Sequence, residues 1–406
     1  MKSPSRPLRI VYVAPFGLRQ KTTVWARTVP LARELSARGH VASIVVPPWD
    51  SPADAGVISV RDGVRIEHVA MGGGIPGVVM RMMRVIAAAE PDIVHIVKPR
   101  AYAGIVQWLL WQKRLTGRTG PAIVLDVDDW EKPWAAIIRY PPYQAKFLAW
   151  QEDWGYRHAD GISAASRWLV TRAGTMSPQT PCLYLPNGID GNPVDGTGAD
   201  GAHAEPHAYA LRRPPRLLLL SRFVEVEPAW LGAMWHALRQ QVPDAALFVA
   251  GRALHGGGEL PYLRALMATS HEGSAINVVW LGYVNPSDLP ALYDSVDCAL
   301  FPSDDTEILR AKCSVRMATA LQWGVPTVAS AVGEQAAYGG DGAACLVPAN
   351  AAPSEFAAVA AKMLRDENIR AQTGRNGAAR VNKRYSWSTL ADSLEEFYVN
   401  TLGEEV

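Results

Sequence analysis

The sequence predicts an α/β protein made of two doubly wound, Rossmann-like domains in series, and three observations carry that reading. The length of 406 residues, at about 150 residues per domain, allows two or three domains. Short β-branched and apolar runs alternate with amphipathic stretches almost throughout, the pattern of a parallel sheet covered by helices on both faces. The alternation pauses once, over 187–216, where Gly, Pro, Asp and His accumulate, and then restarts, so the halves read as two copies of one architecture. The expected division is 1–190, a linker at 191–215, and 216–387. Two such domains would turn the carboxyl ends of their strands toward a central cleft, where ligands of doubly wound sheets bind.

The elements follow in order. Residues 9–14 (RIVYVA) form a continuous β-branched run, read as the first strand. Residues 25–38 show helical spacing, with Leu31 and Leu35 on one face and Arg27, Arg33, Glu34 and Arg38 assigned elsewhere; Gly39-His40 ends the helix. Further strands are expected near 41–46, 64–69, 92–96, 123–126, 161–163 and 182–185, mostly with helices between. In the second half, strands at 217–220, 245–250, 276–281, 297–301, 327–329 and 344–347 alternate with helices near 229–240 and 310–323. The chain closes on helices near 355–364, 369–384 and 388–402.

Composition excludes several function classes. Hydrophobic residues make up 49% and charged residues 19%, enough apolar material for full cores. Forty Lys and Arg face thirty-nine Asp and Glu, a net charge of +1, which argues against a broad electrostatic coat on nucleic acid or anionic lipid. Cys182, Cys298, Cys313 and Cys345 lack CxxC spacing and read as free thiols of a reducing cytoplasm. Neither a signal peptide nor a membrane span is expected. Gly72–Gly77 matches GxGxxG, but it follows the third expected strand rather than the first, so it reads as a glycine-rich connection.

Three segments carry candidate chemistry. The loop after the first strand contains Gly17, Lys21, Thr22 and Thr23 ahead of a helix; it suits an anionic ligand at a helix N-terminus, or a threonine simply caps the helix. Asp126, Asp128, Asp129 and Glu131 place four carboxylates in six residues at a strand end. They repel one another, which raises the pKa of at least one and suits acid–base work; a metal site and a solvated acidic loop are the alternatives. Arg310, Lys312 and Arg316 put three cations in the first turns of the helix expected at 310–323, with Lys312 and Arg316 sharing a face at i,i+4. They oppose each other and the helix dipole, a cost that a bound anion reverses; Asp304, Asp305 and Glu307 upstream are the competing partners. Arg222, after the first strand of the second half, is placed to join the same anion.

From here the chain resembles the GT-B-fold glycosyltransferases, specifically the family 4 type that transfers a sugar from an activated donor with retention. The resemblance rests on an ordered series: APFGLRQKTT, PDIVHIVKPRAYAG, IVLDVDDWE, HADGISAASRWL and LYLPNGID, then LLLLSRF, PDAALFVAG, VVWLGYVNPSDLPALYDSVDCALFPS and KCSVRMATALQWGVPTVASAVGEQAAY. It implies that Arg222 contacts the donor diphosphate and that Gly282 and Tyr283 touch the nucleotide base. Lys312, Ser314, Arg316 and Thr319 would lie around the donor phosphate and sugar, and Gly17, Lys21 and Thr22 beneath the donor. Asp128 would lie near the transferred sugar with Asp126 and Asp129. Lys98, Arg100, Trp130 and Glu131 would contact sugar or acceptor, and the helix at 388–406 would pack back on the first domain.

The resemblance further implies a cytoplasmic enzyme with a nucleotide-diphosphate sugar as donor and a small-molecule, glycan or lipid-linked acceptor. It implies no metal or other cofactor and no nucleic-acid partner; peripheral contact with a membrane is left open, with Trp108, Trp111, Lys113 and Arg114 as its candidates. The chain departs from the family in three places: Glu227 stands where a lysine is usual, Ala311 and Thr319 stand where two glutamates are usual, and Lys132-Pro133-Trp134 replaces a glycine-rich stretch. A catalytically silent partner subunit and a sugar-nucleotide epimerase are the rival readings.

Overall fold

The computed structural model describes residues 6–17, 23–117, 119–190, 209–268 and 277–403. Lys21, Thr22 and most of the expected linker (191–208) lie outside them. The chain separates into two compact units. The first comprises Met1–Gly188, Ala311–Cys313 and Trp387–Val406, and the second comprises Ile189–Arg310 and Ser314–Ser386.

The first unit is built on strands β1 (Arg9–Val13), β2 (Val41–Val46), β3 (Ile58–Arg61), β4 (Val64–His68), β5 (Ile93–Val97), β6 (Ala122–Val127), β7 (Gly161–Ala164) and β8 (Cys182–Tyr184). Among the described residues they form one sheet in the order β3-β4-β2-β1-β5-β6-β7-β8. All pairs are parallel except β3–β4. The sequence reading missed β3, a short strand with all four residues exposed, because such an edge strand lacks an apolar run. Its signal was the Asp62-Gly63 turn, whose φ values of 49° and 79° are those of a tight hairpin.

Two layers of apolar side chains cover this sheet. One face packs Leu31 and Leu35 of α1 (Val29–Ala37) with Leu390, Leu394 and Tyr398 from the end of the chain. The other packs α2 (Gly74–Ala89), α3 (Ala101–Leu115), α5 (Pro142–Arg157) and α6 (Arg167–Met176). Between α3 and α5 runs the short α4 (Glu131–Ile137). The sequence reading expected helices between most strands but gave neither α4 nor α5 its bounds. In α5, Leu148, Gln151, Glu152, Gly155 and Tyr156 are the buried face, a helical spacing whose polar members hide the apolar stripe. A π-helical turn, Val24–Thr28, leads into α1. Pro30 explains the widening, because a proline ring clashes with the carbonyl four residues back in a regular helix.

The second unit carries β9 (Arg216–Leu220), β10 (Ala246–Ala250), β11 (Val278–Gly282), β12 (Cys298–Phe301), β13 (Thr327–Ser330) and β14 (Cys345–Val347). Their order is β11-β10-β9-β12-β13-β14, all parallel. Its helices are α7 (Pro228–Gln241), α8 (Leu260–Met267), α9 (Leu289–Asp294), α10 (Glu307–Ala311), α11 (Val315–Gln322), α12 (Gly333–Gly339), α13 (Pro353–Arg365) and α14 (Glu367–Tyr385). The last helix, α15 (Trp387–Leu402), belongs to the first unit.

One expectation fails here. The helix at 310–323 is two helices, α10 and α11, separated by Lys312, Cys313 and Ser314. Lys312 therefore precedes α11 rather than sharing a helical face with Arg316. The physical reason is visible on both sides. Ala311 is fully buried in the core of the first unit, and Ser314 has extended backbone as the residue entering α11.

Candidate active site

In each sheet the strand order reverses at one place: between β1 and β5 in the first unit, and between β9 and β12 in the second. Loops at the carboxyl ends of those strands are where doubly wound sheets bind ligands.

In the first unit the β5 loop carries Lys98 and Arg100, and the β6 loop carries the carboxylates. Lys98 Nζ lies 2.8 Å from Asp128 Oδ1 and 2.6 Å from Glu131 Oε1, and Arg100 pairs with the other oxygen of Glu131. Its second guanidinium nitrogen donates to the Tyr140 hydroxyl at 3.0 Å. These two cations hold Glu131 down to a pKa of about 2 despite its burial. Lys98 and Ala101 have φ of 63° and 50°, left-handed values that cost about 1–3 kcal/mol each in residues with a side chain. The loop is fixed in this form by its neighbours. Lys98 N donates to Asp126 O, and the Gln151 amide bonds both N and O of Ala101 at 2.8 and 3.1 Å. Gly155 lets the loop approach, since a Cβ there would sit 2.7 Å from Pro99 Cβ.

The four carboxylates do not act as one acidic patch. Asp126 turns into the core, where Arg27 grips both its oxygens at 2.8 and 2.7 Å and Ser163 Oγ donates at 2.7 Å. Arg27 also donates to Leu185 O at 2.9 Å and Pro186 O at 3.2 Å. Its charge holds Asp126 below the usual carboxylate range against the pull of burial. Asp126 is thus withdrawn from the group assigned to reaction chemistry, and Arg27 is 1% exposed rather than off the apolar face. The sequence did hold this signal: 27, 31 and 35 recur every four residues, so Arg27 lies on the stripe of Leu31 and Leu35. A cation there calls for a buried acid. With Asp126, Asp128 and Glu131 each given a cation, Asp129 remains. Burial, with help from Glu131 and Asp128, raises it to about 6 against the opposing charge of Lys98. Trp130 packs on Trp168, ring centroids 4.7 Å apart, with the Arg172 guanidinium 5.1 Å from its own ring.

Gly17, after β1, donates its N–H to Asp50 Oδ1 at 2.5 Å. A side chain at Gly17 would collide with Ser51 Oγ and Asp50, so the residue is glycine because two loops meet there.

In the second unit Glu225, which the sequence reading passed over, organises the loop after β9. It accepts from Ser221 Oγ at 2.8 Å and from the N–H groups of Arg222 and Val224 at 3.1 and 3.2 Å. Arg316, in the first turn of α11, reaches the same loop: Nη2 donates to Glu225 Oε1 at 2.6 Å and Nη1 to Leu220 O at 3.0 Å. Arg222 lies close enough to Arg316 that the second cation and burial together lower its pKa. The structure thus brings Arg222, through its N–H, and Arg316, through its guanidinium, to the one carboxylate of Glu225. It does not bring in Arg310, which pairs with Asp305 on the surface at 2.5 and 2.7 Å. Thr319 Oγ1 donates to Val315 O within its own helix. Gly282 takes a φ of 65° with open space around it, and Tyr283 beside it is 65% exposed. The four cysteines are free thiols, and no group of metal-ligating side chains occurs among the described residues.

Known proteins share this fold. Residues 22–188 match the glycosyl transferase 4-like domain, and residues 214–366 match the glycosyl transferases group 1 family. The chain belongs to the GT-B, family 4-like glycosyltransferases. Sucrose-phosphate synthase from Thermosynechococcus elongatus is 17% identical, with a TM-score of 0.68 over 96% of this chain and 98% of that one. Anabaena HepE, solved with UDP and glucose, is 16% identical, with a TM-score of 0.63 over 96% and 99%. An α,α-trehalose 6-phosphate synthase from Burkholderia multivorans is 11% identical, with a TM-score of 0.64 over 97% and 96%. At these identities the likeness is one of fold. No curated protein matches the chain significantly in sequence.

Proposed function

We propose that this glycosyltransferase takes its sugar from a nucleoside-diphosphate donor bound by the second unit. The observation that carries the reading is the Arg222–Arg316 pair at the strand reversal of that unit's sheet. Burial and the neighbouring Arg316 cation lower the proton affinity of Arg222, and a diphosphate offsets that cost while accepting charge-assisted hydrogen bonds. The neighbouring N-terminus of α11 adds favourable dipole. A structural neighbour, HepE, is described in complex with UDP and with UDP-glucose, which supports the donor class.

On this reading the arginines stabilise the departing diphosphate as charge builds on it, so that transfer proceeds without a metal, with retention at the sugar carbon. Lys312 is assigned to the donor phosphate only as a residue preceding α11. The first unit supplies the acceptor side. There Asp128, Asp129, Lys98, Arg100, Trp130 and Glu131 offer polar and aromatic groups, with Asp129 raised by burial to about 6. A second reading, a catalytically silent homologue, is favoured by two details. Ala311 is buried in the core, and the Thr319 hydroxyl donates to Val315 O of its own helix, so neither supplies the anionic, two-oxygen acceptor of the glutamate usual at its position.

Titration calorimetry with UDP, GDP and ADP tests the proposal. At least one nucleotide should bind, and Arg222→Ala should weaken it about 10- to 100-fold, the loss of a charge-assisted contact. Absence of binding by every nucleotide, or unchanged affinity in Arg222→Ala, would overturn the donor assignment. Release of nucleoside diphosphate from the matching sugar nucleotide separates the enzyme from its silent alternative.

A further inference from the structure

The layer formed by α2, α3, α5 and α6 differs from the rest of the chain in what it presents to solvent. On α5, Tyr143, Phe147 and Trp150 are 77%, 44% and 48% exposed. Their spacing of four and three residues puts them in one stripe. The stripe continues as a chain of ring contacts. Phe147 meets Trp150 at 5.9 Å, Trp150 meets Trp154 at 6.3 Å, and Trp154 stacks on His158 at 4.0 Å. His158 then meets Trp111 of α3 edge-on at 5.1 Å. On α3 itself, Trp108 and Leu115 are exposed. Tyr143 to Trp154 alone spans roughly 16 Å of helix.

Charge is segregated onto the same layer. The four helices carry eight Lys and Arg against two acids, Glu152 and Asp153. Glu152 is 1% exposed, and Asp153 pairs with Arg172. Arg84, Lys113, Lys146 and Arg157 are exposed, and among the described residues none of them has an acid within ion-pair distance. A chain whose net charge is +1 therefore shows one layer that is aromatic and carries an excess of base, even with Asp153 and Asp160 pairing Arg172 and Arg114.

We propose that this face docks on the surface of a bilayer containing anionic lipid. Tyr and Trp settle at the headgroup level of membranes, and Lys and Arg beside them meet the lipid phosphates. A protein partner fits less well, since the cores of protein interfaces exclude lysine. A neutral glycan would use the rings and leave the cations idle. No helix among the described residues is long and apolar enough to cross a membrane, so the contact lies along the surface.

Sedimentation of the full chain with vesicles tests this. Vesicles of phosphatidylcholine with about one-third phosphatidylglycerol should carry the protein down, and plain phosphatidylcholine or high salt should release most of it. Lys146→Gln with Arg157→Gln should lower the partition coefficient about 25-fold, near fivefold per cation. Phe147→Ser with Trp150→Ser should lower it at least tenfold, and both variants should keep the circular dichroism spectrum and melting temperature of the parent. Failure of the parent to bind anionic vesicles overturns the proposal, as does full binding by both variants. So does a parent dimer that the Phe147→Ser, Trp150→Ser variant converts to a monomer while vesicle binding is absent, because the face would then belong to a second copy.

Discussion

Replacing Arg27 by methionine isolates the buried pair that anchors the start of α1. The substitution keeps the volume but leaves the Asp126 carboxylate, 2% exposed, with Ser163 as its remaining polar partner among those described above. Breaking one side of a buried ion pair costs about 3–5 kcal/mol. The carbonyls of Leu185 and Pro186 also lose their Arg27 donors, at about 1 kcal/mol each. The expected loss at neutral pH is therefore about 5–7 kcal/mol. The sign of its pH dependence is fixed. In the parent, Arg27 depresses Asp126, a stabilisation present above the unfolded carboxylate pKa of about 4 and lost as pH falls below it. In Arg27→Met, burial raises Asp126 instead, so the penalty fades as acid protonates it. Because the chain has two units, hydrogen exchange at the amides of β6 and β7 is the suitable probe. Exchange there should accelerate about a thousandfold or more at pH 7 and much less near pH 5. Adding Asp126→Asn should recover about 2 kcal/mol. A loss below 1 kcal/mol, or one that is independent of pH, would refute the assignment of a charged, mutually dependent pair.

Two further outcomes follow from single groups. Asp129 is raised to about 6, so the folded state favours its proton, and stability should decline as pH rises from about 4 through 6. Asp129→Asn should remove that decline and raise stability at pH 7 by about 2 kcal/mol, read by urea titration across the pH range. His95 is held near 4 by burial, with Tyr398 OH 2.5 Å from Nδ1. It stays neutral while the unfolded chain protonates, so stability should fall as pH drops from about 6.5 toward 4, and His95→Gln should flatten that limb in acid melts.

How much of this was written in the sequence depends on how local each cause is. The β-branched runs became strands because burial on both faces of a parallel sheet needs nothing beyond them. The Asp62-Gly63 hairpin and the α5 stripe were locally encoded too, but in turn chemistry and in buried polar residues that an apolar count overlooks. The crowding of carboxylates at 126–131 did forecast one raised pKa, on Asp129. It could not forecast which three would be neutralised, because Arg27 arrives from the turn leading into α1 and Lys98 and Arg100 from the end of β5. The cation cluster at 310–316 misled for the converse reason. It looks contiguous along the chain, yet Asp305 takes Arg310, Glu225 takes Arg316, and the buried Ala311 breaks the helix between them. Glu225 carried no local mark at all; its importance arises from meeting Arg316, 91 residues away.

The return of α15 to the first unit sets the order in which the protein can be made. Leu390, Leu394, Phe397 and Tyr398 complete a core that begins with Leu8 and Ile10. Gly161 leaves room for the Phe397 ring, which a Cβ would approach to 2.8 Å. During synthesis, at roughly 5–20 residues per second, the second unit has all its strands before the first has its last helix. The N-terminal sheet must therefore wait, with the part of its apolar face that α1 does not cover left open, until Trp387–Leu402 has been made. A ribosome that stalls or a protease that nicks near Ser386 would leave the first unit, not the second, open to aggregation. Completion of the first unit by Trp387–Leu402 is thus tied to prior synthesis of the whole second unit.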